Sequence, residues 1–297
     1  MRARYMIPTL ATVAALALTG CVDNSAKSAA DQPPSTTSTS ITKDETAAAL
    51  LPEETAKSGV LVIATSPNYP PNEFKDEAGE PIGWGIEVSA GIAAKLGLEP
   101  TYQISKFENI IPGIVGGTID LGESSFTDTA ARQEQIDFVN YFSSGNQWAS
   151  KSGNTVDPDN ACGLTVAVQA TTKQDVVELP TRSEACVAAG KEPITKLPFE
   201  TQDSAMNAVV LGQADAVTGD AAVILYGIEK TGDKLQTAGT MAETALYGLG
   251  VAKNSDMGKA VQAALQSMID DGSYQAILDK WGVAKGGIDE ATINAGA

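Results

Sequence analysis

Histidine, the most frequent general base and a common metal ligand, is absent from the 297 residues. Its absence excludes the Ser-His-Asp and Cys-His nucleophile arrangements and every histidine metal site. The glycine-rich segment 113–117 ends a helical pattern instead of opening a helix after a strand, so it is not a dinucleotide-binding fingerprint. Segment 157–160 lacks the glycine and glutamate of a calcium loop. We therefore expect no cofactor, no metal and no catalytic residue.

The three cysteines divide into one at the N-terminal end and a pair further along the chain. Cys21 ends the tetrapeptide Leu18-Thr19-Gly20-Cys21, which resembles the bacterial lipobox, where cleavage leaves the cysteine as a lipid-bearing N-terminus. Cys162 and Cys186 remain as an even pair. In an exported protein such a pair predicts one disulfide, and two separate free thiols are the alternative.

The N-terminal segment has the pattern of an export signal. Arg2 and Arg4 precede an apolar run over residues 7–18, which is too short to span a membrane as a stable helix. We expect residues 1–20 to be a lipoprotein signal peptide, the alternative being an ordinary signal with a chance cysteine. Two acyl chains on Cys21 anchor a protein stably, which predicts an extracytoplasmic protein held on the bacterial cell membrane. Residues 21–58 are expected to form the lipidated, disordered tether, because segment 31–40 has almost nothing to bury.

The charge balance limits the partners. There are 37 acidic and 20 basic residues, a formal net charge of −17, and the isoelectric point is about 4.3. A nucleic-acid-binding protein needs a basic surface, so no nucleic-acid partner is expected. With 43% hydrophobic and 19% charged residues, the composition is that of a soluble globular protein.

Hydrophobic periodicity predicts alternating strands and helices. Val60–Ala64 is a continuous apolar run typical of a strand buried on both faces. Apolar residues over 86–96 keep helical spacing until Gly97, and those over 110–115 predict a second helix that ends at Gly116. Residues 119–121 then predict a short strand. This alternation indicates an α/β fold.

A second α/β run follows segment 157–159. Its predicted elements are strands 165–168 and 214–218, and helices 172–179, 203–211 and 220–226. Asp203 and Asp220 stand where the last two helices should begin. The region from Ser255 to Trp281 is predicted to be helical, with a stop at Asp271-Gly272.

One segment carries a family resemblance. Ser124-Ser125-Phe126-Thr127-Asp128-Thr129-Ala130-Ala131-Arg132, continued by Ile136-Asp137-Phe138, resembles the signature of extracellular solute-binding proteins of family 3, the polar amino-acid receptors of ABC importers. The same order of features surrounds it: Tyr69-Pro70-Pro71, Gly83-Trp84-Gly85, Gly212-Gln213-Ala214-Asp215-Ala216 and Lys280-Trp281-Gly282. The resemblance covers about residues 59–284.

The resemblance implies a two-lobed α/β protein with the type 2 periplasmic-binding-protein fold. Two hinge crossovers would join the lobes, with the ligand in the cleft between them, and hinge closure is the expected motion. Lobe one would comprise residues 59–145 and 247–285, and lobe two residues 146–246. Residues 286–297 would form a tail. A monomer is expected.

The ligand implied by the resemblance is a polar L-amino acid, whose two charges both need partners when they are buried. Arg132 offers a fork for the carboxylate, helped by Thr127 and Thr172. Asp220 and the carbonyl of Ser125 would hold the ammonium. Taken singly, each has a plainer interpretation: a surface arginine, or residues that cap helices.

Further residues would surround the side chain of the ligand. The resemblance places Tyr69 and Phe107 against it and includes Ser124 in the site; Trp84 and Trp148 are nearby candidates. Receptors for basic amino acids and for glutamine resemble one another in an aspartate three residues before this tyrosine, where this chain has Ser66. This weakens the case for lysine or arginine. Glu123 could restore a cation preference if it points inward, whereas a solvated or helix-facing Glu123 is the favoured alternative.

The predicted function is an extracytoplasmic substrate-binding lipoprotein of an amino-acid ABC importer. It would capture its ligand by lobe closure and deliver it to the permease and its ATPase. One alternative is a lipoprotein that senses an amino acid for a receptor, since no motif marks the coupling surface. Another is an enzyme of the same fold, such as a cyclohexadienyl dehydratase, but the one acid expected in the cleft, Asp220, is committed to the ammonium.

Overall fold

The structure is a computed structural model that describes residues 41–296. The expected signal peptide and Cys21 lie outside the described residues. Residues 41–296 contain twelve strands: β1 (Val60–Thr65), β2 (Asn68–Tyr69), β3 (Glu73–Lys75), β4 (Pro81–Ile82), β5 (Glu99–Ile104), β6 (Leu121–Gly122), β7 (Ile136–Lys151), β8 (Thr165–Gln169), β9 (Thr195–Phe199), β10 (Ala216–Asp220), β11 (Leu235–Ala252) and β12 (Thr292–Ile293).

The helices alternate with these strands, as the periodicity predicts. In the described part of the chain they are α1 (Glu45–Ala48), α2 (Glu53–Ser58), α3 (Trp84–Leu96), α4 (Phe107–Val115), α5 (Ala130–Gln133), α6 (Leu179–Ala188), α7 (Gln202–Val210), α8 (Ala221–Thr231), α9 (Asp256–Asp270) and α10 (Ser273–Lys280). A π-helical turn, Gln174–Glu178, precedes α6, and short 3₁₀ turns occur at Pro158–Asn160, Gly232–Lys234 and Ala284–Gly286.

Two long strands join two α/β lobes. The order of the large sheet is β5-β1-β6-β11-β7-β10-β8-β9. Strands β7 and β11 pair with each other through both halves; β11 meets β6 in one half, and β7 meets β10 in the other. Lobe one therefore contains β1, β5 and β6, and lobe two contains β8, β9 and β10. The fold is the expected two-lobed α/β architecture with two crossovers.

The crossovers are irregular where the chain passes between the lobes. The pairing of β11 with β7 shifts register between Ala238 and Ala245 and again after Tyr247. Within this stretch Glu243 has a φ of 54°, a backbone conformation that non-glycine residues adopt infrequently. Register shifts interrupt the ladder locally, so this is where two otherwise continuous strands can bend.

Each lobe has its own core. In lobe one, α3 and α9 pack against apolar side chains of β1, β7 and β11, among them Leu61, Ile63 and Leu249. Helix α3 ends at Gly97, whose φ of 69° closes the helix in the left-handed conformation, as the sequence predicts. In lobe two, α7 and α8 cover one face of the sheet. Helix α6, which carries Cys186, covers the other face near the Cys162–Cys186 pair. The structure contains this disulfide.

The segment just before β1 differs from the expectation. Residues 41–58 belong to the segment expected to be a disordered tether, but they pack against lobe one and form α1 and α2. Asp44 caps α1 by accepting hydrogen bonds from the amides of Thr46 and Ala47, and its own amide donates to the carbonyl of Lys95 at 2.8 Å. Ala47 is buried in the lobe-one core. These contacts make the prediction of a tether wrong for residues 41–58.

Some predicted elements are displaced. The helix predicted over 172–179 is a π-helical turn that continues as α6. Thr201 caps α7, with Asp203 inside its first turn, because the threonine hydroxyl accepts from the amide of Ser204. Strands β6 and β10 each start two residues later than predicted. Just before them, the carboxylates of Asp120 and Asp215 accept hydrogen bonds from the backbone amides of Val62 in β1 and Thr165 at the start of β8.

The C-terminal residues return to lobe one. Strand β12 pairs with β7, and the side chain of Asn294 accepts a hydrogen bond from the amide of Phe138 at 2.8 Å. The amide of Gly296 donates to the Asp128 carboxylate at 2.9 Å. The segment expected as a tail thus fixes part of the sheet and a loop beside it. Over residues 41–296, no helix combines the length and apolar character needed to cross a membrane.

Candidate ligand-binding site

A cavity lies between the two lobes. Its lining residues are Ser66, Tyr69, Glu73, Phe107, Ser124, Ser125, Thr127, Arg132, Gln169, Thr172, Lys173, Gln174 and Asp220. All eight residues that the sequence analysis assigns to the site line this one cavity. Lobe one supplies the residues from Ser66 to Arg132, and lobe two supplies those from Gln169 to Asp220.

Arg132, the last but one residue of α5, has its guanidinium held at the cavity wall. Nη1 donates to the carbonyl of Thr127 at 2.8 Å, and Nη2 donates across the cleft to the carbonyl of Thr171 at 3.1 Å. The guanidinium also lies over the rings of Phe107 and Phe126, 5.5 Å and 5.3 Å from their centroids. A guanidinium has five N–H donors, so three remain for a ligand carboxylate. Burial lowers the pKa of Arg132 to about 10, which leaves it charged at neutral pH.

Asp220 faces Arg132 from lobe two, at the end of β10 and the start of α8. Its carboxylate does not cap the helix; it accepts hydrogen bonds from the Tyr69 hydroxyl at 2.9 Å and from the Gln174 side chain at 2.8 Å. Burial raises the pKa of Asp220, while these hydrogen bonds and the charge of Arg132 oppose the shift. The hydrogen bond from Tyr69 also joins the lobes, as does the Lys106–Glu200 ion pair at 3.0 Å. The lobes are closed.

The loop that carries Thr127 is fixed from several sides. Thr127 pairs with Tyr247 of β11 in an isolated antiparallel β-bridge. The neighbouring Asp128 carboxylate accepts hydrogen bonds from Gln133, Asn140 and the amide of Gly296. A binding loop held by β7, β11 and the C-terminal segment needs little reorganisation to receive a ligand.

On lobe two, the loop after β8 presents Thr172. The Thr172 hydroxyl donates to the carbonyl of Gln169 at 2.8 Å, and Thr171 adopts a φ of 64°. The π-helical turn that follows places Lys173 and Gln174 on the cavity wall. The ammonium of Lys173 lies 3.7 Å from the Glu243 carboxylate. Glu243, on the crossover strand β11, also lies 3.6 Å from the guanidinium of Arg182, so its charge is shared between two cations.

Sequence reasoning missed two charged residues of the wall, Lys173 and the acid Glu73. The hairpin β2–β3 turns the chain after Tyr69-Pro70-Pro71, and Glu73 points into the cavity with 1% of its surface exposed. Its carboxylate accepts a hydrogen bond from Ser125 at 2.9 Å and a longer one from Ser124 at 3.4 Å. Its position two residues after the Tyr-Pro-Pro segment is the only sequence signal, and nothing in the periodicity reveals the reversal of the chain.

Three residues considered for the site lie elsewhere. Trp84 packs in the lobe-one core and donates its indole N–H to Asn72 at 2.8 Å. Trp148 packs in lobe two and donates to Glu178 at 2.7 Å. Glu123 is neither solvated nor on the cavity wall: it is fully buried behind the cavity, with Oε1 directed at Gly85 of α3. Of the alternatives, the helix-facing orientation is the one observed.

The arrangement can hold a small zwitterion. Arg132 and the hydroxyl of Thr127 lie on one side, and Asp220 lies on the other. A molecule with both a carboxylate and an ammonium would therefore contact both lobes, which couples binding to closure. Glu73 adds a second acid to the wall.

Comparisons with known proteins agree with this geometry. The family described as bacterial extracellular solute-binding proteins, family 3, matches residues 61–284. The arginine-binding protein ArgT of Corynebacterium glutamicum is 42% identical over 248 residues, which cover 83% of this chain and 82% of the relative. The glutamine-binding protein GlnH of Bacillus subtilis is 32% identical, over 69% of this chain and 74% of the relative. An ancestral arginine-binding protein bound to arginine superposes with a TM-score of 0.68 at 30% identity, over 75% of this chain and 98% of the other.

Proposed function

This chain belongs to the bacterial extracellular solute-binding proteins, family 3, and from that premise we propose that it captures a cationic L-amino acid, arginine first among the candidates, for an ABC importer. Its relatives named above are binding proteins, and so is this chain. The observation that carries the choice of ligand is Glu73, a buried carboxylate on the cavity wall with no basic partner among the described residues.

The common part of any amino acid would be bound by residues from both lobes. The Arg132 fork receives the carboxylate, with Thr127 and the backbone amide of Thr172 as further donors. Asp220 receives the ammonium, with the carbonyl of Ser125 as a second acceptor. Tyr69, Phe107 and Ser124 line the space for the side chain.

Glu73 supports a positively charged ligand side chain. Arg132 and Asp220 carry opposite charges, and Lys173 lies near Glu243. Glu73, by contrast, has no positively charged counterpart within ion-pair distance among the described residues. A guanidinium or ammonium supplied by the ligand would provide it. Ser66 lines the cavity but carries no charge, so it cannot pair with a cationic ligand side chain. Glu73 supplies the acid that Ser66 does not. The printed names of ArgT and of the ancestral protein also favour arginine.

A ligand panel tests the proposal. Thermal unfolding of the purified full-length protein is measured with each of the twenty L-amino acids, after unfolding and refolding to remove carried-over ligand. A ligand present at 100 times its Kd stabilises the folded state by about 2.7 kcal/mol, which raises Tm by several degrees. We expect the largest shift with arginine. Absence of a shift with every amino acid would contradict the proposed function.

A matched pair of variants tests the role of Glu73. In Glu73→Gln the affinity for arginine should fall at least about tenfold, because a buried charge-assisted contact is lost, whereas the affinity for glutamine should change little. Glu80→Gln alters an exposed acid of the same hairpin region and should leave both affinities unchanged. An equal loss for arginine and glutamine in Glu73→Gln would indicate general damage to the site.

We further propose that residues 1–20 are a signal peptide and that lipidated Cys21 anchors the protein outside the cell membrane, where a permease and its ATPase receive the ligand. The tetrapeptide 18–21 supports the anchor. In a bacterial host, Cys21→Ser should move the protein from the membrane fraction to the soluble extracytoplasmic fraction. Retention in the membrane fraction would contradict lipidation.

A further inference from the structure

Two interacting acids are buried in lobe one near the cavity, Glu73 on β3 and Glu123 directly after β6. Glu73 lines the cavity, whereas Glu123 lies behind it and is fully buried. Neither carboxylate has a lysine or arginine nitrogen within 4.0 Å in residues 41–296. The charge state of this pair is therefore set by protons or by the ligand.

Glu123 is poorly equipped to carry a charge. Its Oε2 receives one hydrogen bond from the Thr65 hydroxyl, at 3.3 Å, and its Oε1 has no partner in the described part of the chain. A buried ionised oxygen without a donor is strongly unfavourable. Burial raises the pKa of Glu123 to about 8, so this carboxyl stays protonated below that pH.

Glu73 is different because it reaches the ligand. Burial raises the pKa of Glu73 well above its ordinary range, and repulsion from Glu123 adds to the shift. The other titratable groups facing the pair are Tyr69 on β2, Tyr102 on β5, Tyr141 on β7 and Asp220 on β10. Burial raises the pKa of each tyrosine, so these remain neutral, and Asp220 opposes a second negative charge.

Charge balance in the closed cavity then depends on the ligand side chain. Arg132 and Asp220 offset the carboxylate and ammonium of the amino acid, and the charges of Lys173, Arg182 and Glu243 are the same in every complex. A cationic side chain is balanced by ionised Glu73. A neutral side chain leaves that charge unmatched, and closure then requires a proton on Glu73.

We propose that Glu73 exchanges one proton for the positive charge of the ligand side chain, so that the complex with a neutral amino acid holds one proton more than the complex with a cationic one. This inference rests on the proposed function, because it needs an amino acid in the cavity. The step is a simple exchange: the Glu73 carboxyl loses its proton to solvent and pairs with the ligand cation. Glu123 remains protonated in both complexes and acts only through its neighbour.

The exchange makes selectivity depend on pH in a fixed direction. The arginine complex lacks the proton, so raising the pH favours it over the neutral complex. By proton linkage, a difference of one proton changes the ratio of the two affinities tenfold per pH unit. The dependence holds whatever the protonation of the ligand-free protein, because that state is common to both equilibria.

The test uses L-arginine and L-citrulline, which have nearly the same shape but differ in charge. Isothermal titration calorimetry of the purified full-length protein at pH 5.5, 6.5 and 7.5 gives both affinities, and repetition in buffers of different ionisation enthalpy gives the protons exchanged. We expect the arginine-to-citrulline affinity ratio to rise about 100-fold from pH 5.5 to 7.5, with a one-proton difference between the ligands. A ratio independent of pH would overturn the inference. Arginine binding in the same experiment would still support the proposed function.

Two isosteric variants show which of the two carboxyl groups exchanges the proton. In Glu73→Gln the ratio should lose its pH dependence and both ligands should exchange the same number of protons. In Glu123→Gln, which preserves the shape of a carboxyl that stays neutral, the tenfold change per pH unit should persist. Loss of the dependence in Glu123→Gln with its retention in Glu73→Gln would overturn the assignment to Glu73. Thermal unfolding of both variants, compared with the unmodified protein, identifies any failure to fold.

Discussion

Replacing Asp220 by asparagine is expected to weaken amino-acid binding at least about 100-fold, because the ligand ammonium would be buried without its counter-charge. Removing one partner of a buried ion pair costs about 3–5 kcal/mol, and 3 kcal/mol alone corresponds to roughly 150-fold in affinity. Asparagine has the same size but a single acceptor oxygen, whereas Tyr69 and Gln174 donate to different oxygens of the carboxylate, so the variant keeps one of these two hydrogen bonds and loses the charge. The measurement is the Kd for arginine by calorimetry at pH 7.

Two controls separate the charge from the fold. Asp233→Asn removes an exposed carboxylate from the same lobe and should leave the Kd unchanged. The Tm of the ligand-free Asp220→Asn protein should remain near that of the unmodified protein, because burial raises the pKa of Asp220 and its replacement by a neutral group relieves desolvation. An arginine Kd within about threefold of the unmodified value would remove Asp220 from the site.

Truncating Arg132 to alanine should have an effect of similar size on the carboxylate end of the ligand. The variant loses the fork that two carbonyls position, those of Thr127 in lobe one and Thr171 in lobe two. An unpaired buried carboxylate and the loss of an interlobe hydrogen bond both oppose the closed complex. We expect the Kd for arginine and the Kd for glutamine to rise together, by at least about 100-fold.

Arg132→Lys distinguishes charge from geometry. Lysine keeps the positive charge but cannot form the two parallel hydrogen bonds of a guanidinium, so it should recover only part of the lost affinity. Lys285→Ala, an exposed cation of lobe one, serves as the control and should bind normally. Full affinity in Arg132→Ala would mean that the ligand carboxylate is bound elsewhere, for example by the backbone amides alone.

These two predictions concern the part of the site that can be found by sequence reasoning. Arg132 belongs to the segment that resembles the family signature, and Asp220 stands at a helix start where local pattern places it. Elements with strong periodicity also occur where predicted, as with β1, α3 and α9, because burying an apolar face constrains residue spacing directly. Boundaries were less accurate at Asp120 and Asp215, where side-chain hydrogen bonds to the neighbouring strand accompany the backbone ones.

The sequence by itself determined the α/β alternation, the pair of cysteines that forms the disulfide and the two opposite charges that an amino acid requires. These features depend on local spacing or on residue type, which the chain displays directly. Only the tertiary structure decided that Glu73 faces the cavity, that Glu123 lies behind it and that residues 41–51 pack on lobe one. The physical reason is that burial and charge balance arise from segments distant in sequence, brought together by the hairpin, the two crossovers and lobe closure.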